Sequence, residues 1–175
     1  MDTLATVYLG LGSNLGDRVA HLADALAALG AIVAVRRVSP VYETDPQLVT
    51  EQPKFLNVVC EGTTSLSPTE LLGEVKSIER RLGRQPGPRY GPRVVDIDIL
   101  LYDDLALQTS TLTLPHPRIP ERAFVLIPLR DLAPGLSHPL WSGTVATLAM
   151  RLGDQGVRLL GSLYDVSSGR YNGPV

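Results

Sequence analysis

Cysteine is nearly missing from this 175-residue chain: Cys60 stands alone. A single thiol excludes a disulfide framework and a cysteine zinc site, and its place in the apolar run FLNVVC marks a small buried hydrophobe. No apolar stretch approaches the ~20 residues a membrane helix requires, and MDTLATVYLGLG lacks the basic start of a secretory signal. A cytoplasmic location is the expectation. An excess of basic charge is missing too: the net charge is −2 and the isoelectric point about 5.9. A general nucleic-acid binder is more often basic, so any affinity for polyphosphate must come from local clustering. There is no internal repeat and no low-complexity segment. With 44% apolar and 19% charged residues, the chain fits a folded globular protein of one-domain size.

The apolar pattern sets out the elements. Residues 4 to 11 read as a strand, and Val19, Leu22, Ala23, Leu26 and Leu29 keep the helical period up to Gly30. Further strands are expected over 31–38 and 55–64, separated by a long loop punctuated by Pro40, Asp45, Pro46 and Pro53. Residues 67–83 form the best-marked helix. Ser67 caps it, Pro68 suits the first turn, Glu70 completes a capping box and Gly83 ends it. Its buried stripe is Leu71, Leu72, Val75, Ile78 and Leu82, which leaves Lys76, Glu79 and Arg80 free to point at a ligand. The stretch GPRVVDIDILLYDD, 91–104, supplies a fourth strand, followed by a short strand near 110–114, a proline-rich segment, a helix over 144–153 and a strand near 157–160. This order predicts a ferredoxin-like α+β sandwich, mainly antiparallel, with one domain over 1–160 and a C-terminal tail over 161–175. The order names no function.

Two features carry chemistry. Asp96 and Asp98 alternate with Val95, Ile97, Ile99 and Leu101, so the two carboxylates share one face of the strand with Cα atoms roughly 6.5 Å apart. Oxygen ligands of this kind suit Mg²⁺, which takes one or two carboxylates and completes its shell with water and phosphate oxygens. Arg80, Arg81, Arg84, Arg89 and Arg93 precede them, and guanidinium groups suit bidentate phosphate contacts. Two readings stand side by side: simple ion pairing between these acids and arginines, or a site for Mg²⁺ and polyphosphate. Tyr90 covers a flat ring or merely packs, and Asp103 with Asp104 reads as a turn. His116, held between prolines, either donates to a phosphate or is an inert loop residue, and His21 and His138 keep the inert reading. Gly10, Gly12 and Gly16 match neither G-x-G-x-x-G nor a P-loop, and the plainer reading is a tight turn hydrogen-bonded by Ser13 and Asn14.

Together YLGLGSNLGDR (8–18), SPVYETDP (39–46), QPKFLNVV (52–59), GPRVVDIDILLY (91–102) and LTLPHPRIPERAFVLIPL (112–129) resemble the 6-hydroxymethyl-7,8-dihydropterin pyrophosphokinase family of folate biosynthesis. The resemblance implies transfer of the β,γ-pyrophosphoryl group of ATP to the pterin hydroxymethyl group, with release of AMP. It implies two Mg²⁺ ions held by Asp96 and Asp98, a phosphate clamp of Arg84 and Arg93, and a closing loop over 84–90. Lys76, Glu79, Arg84, Arg89, Tyr90, Arg93, Ile99, Thr113, His116, Pro117 and Arg122 match positions lining the ATP site. Thr44, Asp45, Pro46, Phe55, Asn57, Asp96 and Phe124 match the pterin pocket, with Phe55 and Phe124 on either side of the ring and Asn57 reading its polar edge. The sequence departs from the family in a loop one residue shorter after Arg84, in Tyr90 where tryptophan is common, and in Thr111 where arginine is frequent. These departures bear on how tightly ATP is held.

Other classes fit less well. A two-metal nuclease usually needs more acidic or histidine ligands than Asp96 and Asp98. A ferredoxin-like RNA-binding module predicts a basic sheet face with exposed aromatics, against an acidic isoelectric point and 5% aromatic residues. The expected partners are therefore ATP and the pterin, with no nucleic acid and no membrane.

Overall fold

A computed structural model of the chain describes residues 3–48, 50–89 and 91–167. Strand β1 (Ala5–Ser13) lies between β5 (Asp96–Tyr102) and β4 (Phe55–Thr64), antiparallel to both. On the far side of β4 run β2 (Ala34–Val38) and β3 (Val41–Thr44), and β8 (Arg158–Gly161) extends the sheet beyond β3. Helix α1 (Arg18–Leu29) connects β1 to β2, and α2 (Pro68–Arg81) connects β4 to β5. This is the expected ferredoxin-like α+β arrangement.

The strand expected over 31–38 begins only at Ala34, and the loop expected to follow contains β3. One residue explains both the break and the continuation. Ser39 is buried between β2 and β3, where its N–H donates to the Val59 carbonyl (2.8 Å) and its hydroxyl accepts from the Val59 N–H (2.9 Å). Pro40 has no N–H to add to a ladder, so Ser39 carries the pairing across the kink.

Alternation on the strands divides the apolar residues between two cores. Val7, Leu9 and Leu11 of β1, Leu56, Val58 and Cys60 of β4, and Ile97 and Ile99 of β5 face α1 and α2. There they meet Leu22, Ala25 and Leu29 of α1 and Leu71, Val75 and Ile78 of α2. The capping box on α2 forms as predicted, and Asp17 caps α1, its carboxylate accepting the Ala20 N–H. Caps of this kind contribute about 1 kcal/mol each. On the opposite face, Tyr8, Val59, Leu100 and Leu101 pack under α3 (Ala123–Leu132) and α4 (Val145–Leu152).

Leu101 was expected beside Ile97 and Ile99, and it lies on the other face. The register of β5 on β1 slips between Tyr8 and Leu9, so that Leu9 opposes Ile99 and Tyr8 opposes Leu101. Leu100 is the extra residue of this bulge, and both leucines enter the second core. Residues near 110–114 form a separate ribbon, β6 (Leu107–Gln108) with β7 (Thr113–Leu114). A single 3-10 turn (Ile119–Glu121) leads into α3, a helix unforeseen in the proline-rich segment. Seven of its ten residues are buried, and it encloses Pro128, which has no N–H for the Phe124 carbonyl four residues back. Packing on both sides outweighs that missing bond. The segment after β8 continues as α5 (Leu163–Ser167), with Leu163 and Val166 against the first core. Residues 168–175 of the expected tail lie outside the described residues.

Candidate active site

Helices α3 and α4 cover only part of the second sheet face. The remainder is the floor of a cavity of about 250 Å³. The floor follows from register. Gly12 stands between Asn57 on β4 and Asp96 on β5, and Gly10 stands between Val59 and Asp98. All six residues line the cavity. Gly10 and Gly12 are thus strand residues rather than parts of a tight turn. A Cβ on Gly12 would lie 3.0 Å from Asn57 Oδ1, and one on Gly10 would meet Leu100 at 3.4 Å. The two glycines keep the middle of the floor at backbone height while acids rise on one side and an amide on the other.

At the amide end, Asn57 Nδ2 donates to Thr44 Oγ1 across 2.8 Å, and both residues are buried. This bond ties the amide to β3, and its oxygen lies towards Gly12. Phe55 and Phe124 also line the cavity, one from β4 and one from α3, and the Arg122 guanidinium lies 5.5 Å from the Phe124 ring centre. Asp45 is at the rim, paired with Lys54 at 3.2 Å, and Gln47, which sequence reasoning did not select, lines the wall. Pro46 adjoins these residues without lining the cavity.

At the acid end, Asp96 and Asp98 point the same way, as the spacing predicted, and their side chains are 35% and 36% exposed. Loss of solvation, then the neighbouring Asp96, push the Asp98 carboxyl up to about 6. Arg84 meets Asp96 at 2.9 Å, and Arg122 lies 3.9 Å from Asp98. Arg89 and Arg93 complete the cationic wall. A carboxylate pair that raises its own proton affinity is a fitting seat for a divalent cation. Among the described residues no cluster of three or more acidic, histidine or cysteine side chains gathers, so a cation on Asp96 and Asp98 takes its other oxygens from water or substrate.

Glu79 corrects a sequence expectation. It is 1% exposed rather than free to reach a ligand. Its Oε1 accepts the Ile97 N–H at 2.7 Å, its carboxylate meets Lys76 Nζ at 3.2 Å, and Arg84 donates to it as well. The stripe pattern assigned Glu79 to an open face, but that face packs on β5, and the backbone amide before Asp98 needs an acceptor. Lys76 is likewise held to Glu79.

His116 is fixed from two sides. Its N–H donates to the Leu100 carbonyl (2.8 Å), and its Nδ1 accepts the Arg118 N–H (3.2 Å), which leaves the proton of the neutral ring on Nε2. Burial and the nearby Arg122 and Arg118 charges lower its pKa to about 4. His116 is also the wall shared with a second cleft, which Thr113, Pro117, Leu140 and Trp141 line. The Ile99 side chain packs in the first core, so this residue offers only backbone on the edge strand. Tyr90 lies outside the described residues.

The family model of 7,8-dihydro-6-hydroxymethylpterin-pyrophosphokinase matches residues 8–134. The chain is 42% identical over 138 residues to the 2-amino-4-hydroxy-6-hydroxymethyldihydropteridine pyrophosphokinase of Aquifex aeolicus, covering 79% of this chain and 86% of that protein. With the Bacillus subtilis protein of the same name it shares 48% identity over 127 residues, covering 71% of this chain and 76% of that one. A longer folic acid synthesis protein of Schizosaccharomyces pombe is 43% identical over 157 residues, and the match spans 89% of this chain but 21% of that protein. The crystal structure of wild-type Plasmodium falciparum HPPK-DHPS with pterin and p-hydroxybenzoate has the same fold, with a TM-score of 0.70 at 17% identity over 85% of this chain and 42% of that one. Register, cavity and comparison agree: the chain belongs to the 7,8-dihydro-6-hydroxymethylpterin-pyrophosphokinase family.

Proposed function

We propose that this cavity transfers the pyrophosphoryl group of ATP to the hydroxymethyl group of 6-hydroxymethyl-7,8-dihydropterin, giving AMP and the pterin pyrophosphate. One observation carries the reading: a single cavity joins an aromatic, amide-lined end to an acid and arginine end across a floor of two glycines. A flat heterocycle bearing a CH₂OH group and a triphosphate meet over such a floor.

Phe55 and Phe124 supply apolar faces for the pterin ring, and the Asn57 amide, held by Thr44, is oriented for its edge. Asp45 and Pro46 border that end. Arg89, Arg93 and Arg122 neutralise the triphosphate, and Arg84, seated on Asp96, supplies a further cation beside it. His116, neutral above pH ~5, donates from Nε2 without adding charge. The pterin hydroxyl oxygen bonds to the β-phosphorus and gives up its proton to solvent, while the bond from that phosphorus to the oxygen on the α-phosphate side breaks and AMP departs with that oxygen. Positioning and charge compensation do most of this work. Asp96 and Asp98 would hold the two Mg²⁺ ions, which when bound would neutralise charge on the phosphate oxygens. Thr113, Pro117 and the backbone of Ile99 extend the nucleotide's path past His116.

No helix among the described residues is long and apolar enough to cross a membrane. The test is an AMP assay. AMP forms from ATP only with the pterin and Mg²⁺ both present, whereas ADP as product or indifference to pterin overturns the assignment.

A further inference from the structure

Asn14 belongs to neither end of the cavity, yet it is bonded to segments that build both. It is buried, 1% exposed, just beyond the end of β1. Its backbone N–H donates to the Arg93 carbonyl (3.1 Å), and its Oδ1 accepts the Arg93 N–H (2.7 Å). Its Nδ2 donates both to the Pro53 carbonyl (3.1 Å) and to Gln52 Oε1 (3.0 Å). The amide orientation follows from chemistry: a peptide N–H is only a donor and the Pro53 carbonyl only an acceptor, so no flipped arrangement satisfies both.

We infer that Asn14 is a positioning residue that sets the arginine segment entering β5 and the segment entering β4 at a fixed separation. The inference rests on the function proposed above. Arg93 stands three residues before Asp96, and Pro53 stands two before Phe55 and four before Asn57. These segments are 38 to 79 residues from Asn14 in sequence. Both are irregular where Asn14 holds them. Asparagine is the shortest side chain with an acceptor for one wall and two donors for the other. Aspartate has the same shape and keeps the acceptor for Arg93, but it turns an oxygen towards two oxygens. Alanine releases both walls.

Three variants separate these contributions. Asn14→Asp should keep the Arg93 amide protected from hydrogen exchange, yet lose both bonds to the Gln52–Pro53 segment and weaken pterin binding by at least about tenfold, the scale of a single hydrogen bond, with the KM for ATP within twofold of the parent. Asn14→Ala should lose the Arg93 protection and lower kcat as well. Gln52→Ala, at the outer end of the same network, should reproduce part of the pterin effect and spare the Arg93 amide, so the inference stays testable if Asn14→Ala does not fold. Pterin binding is read directly from pterin fluorescence, independent of turnover. Equal changes in both KM values for Asn14→Asp, or pterin affinity unchanged beside a lowered melting temperature, would overturn the inference. So would an Arg93 amide as protected in Asn14→Ala as in the parent. A parent chain that binds no pterin refutes the proposed function instead, and amide exchange at Arg93 then decides the role of Asn14 alone.

Discussion

Arg84 bridges Asp96 and Glu79: one guanidinium nitrogen lies 2.9 Å from the half-buried Asp96 and also donates to the fully buried Glu79. The contact links a helix carboxylate to the strand that carries the acid pair. Glu79 also accepts the Ile97 N–H, so it holds both the cation and the backbone of β5. Removing it leaves a buried amide without an acceptor, takes from Lys76 its pairing with Glu79 and leaves Arg84 with Asp96. Glu79→Ala should therefore cost about 3–5 kcal/mol in urea unfolding, the range for breaking a buried pair. Glu79→Gln keeps an oxygen for Ile97 and should lose clearly less. Equal losses in the two variants would show that the Ile97 bond contributes nothing.

The acid pair should separate activity from stability. Asp98 is pushed up to about 6 by lost solvation and by Asp96, which means that its charge is costly in the ligand-free fold. Asp98→Asn removes that charge with little change of shape. Its melting temperature should equal or exceed the parent's, while AMP formation falls at least ~10²-fold, the scale expected when a metal-holding group is lost. Asp96→Asn should lose activity similarly, but it also removes a partner of Arg84, so its melting temperature should not rise. Near-normal turnover in either folded variant would make these acids structural.

The lowered pKa of His116 fixes the sign of a pH effect. The ring titrates near 4 in the fold, and a histidine in an unfolded chain near ~6.5. Between those values the unfolded chain binds a proton that the native chain does not, so this contribution to stability is complete above ~6.5 and is lost as pH falls towards 4. His116→Asn should flatten the slope of unfolding free energy over that interval. NMR titration of the ring in the parent should show a midpoint near 4, and a midpoint above 6 would contradict the half-buried, arginine-flanked setting.

The two floor glycines should not be equivalent. A methyl on Gly12 lies 3.0 Å from Asn57 Oδ1 and 3.7 Å from Phe55 Cδ1, so the amide or the floor has to move. A methyl on Gly10 meets the flexible Leu100 side chain at 3.4 Å, an ordinary contact. Gly12→Ala should raise the KM for pterin at least ~10-fold, the loss of one oriented hydrogen bond, with Gly10→Ala much milder. Isothermal titration with pterin checks the difference.

Much of this was legible beforehand because it depends on short spacings. Asp96 and Asp98 share a face by strand period, and Ser67 with Glu70 announces α2 by a local hydrogen-bond exchange. Phe55 and Asn57 were reached through the family's motifs, not through any local pattern. What escaped depended on distant partners. The helical stripe exposes Glu79, but only the arrival of β5 supplies the Ile97 amide that buries it. Strict alternation puts Leu101 beside Ile99, and only the slipped pairing with Tyr8 moves it. The proline-rich stretch hides α3 because apolar burial on several sides overrides Pro128. Asn14 looked like a turn residue, since its partners lie 38 and more positions away.

Cys60 gives the chain a reporter of its own opening. It lies fully buried on β4, the strand paired with β1, β2 and β3, and burial pushes its thiol up to about 12. No other side chain in the sequence competes for a thiol reagent. Labelling must wait for the sheet to part, so its rate measures the population of open molecules. Anything that binds the closed cavity slows that rate by the factor 1 + [L]/Kd. On the hidden face of the sheet, the one thiol thus keeps count of what arrives on the other.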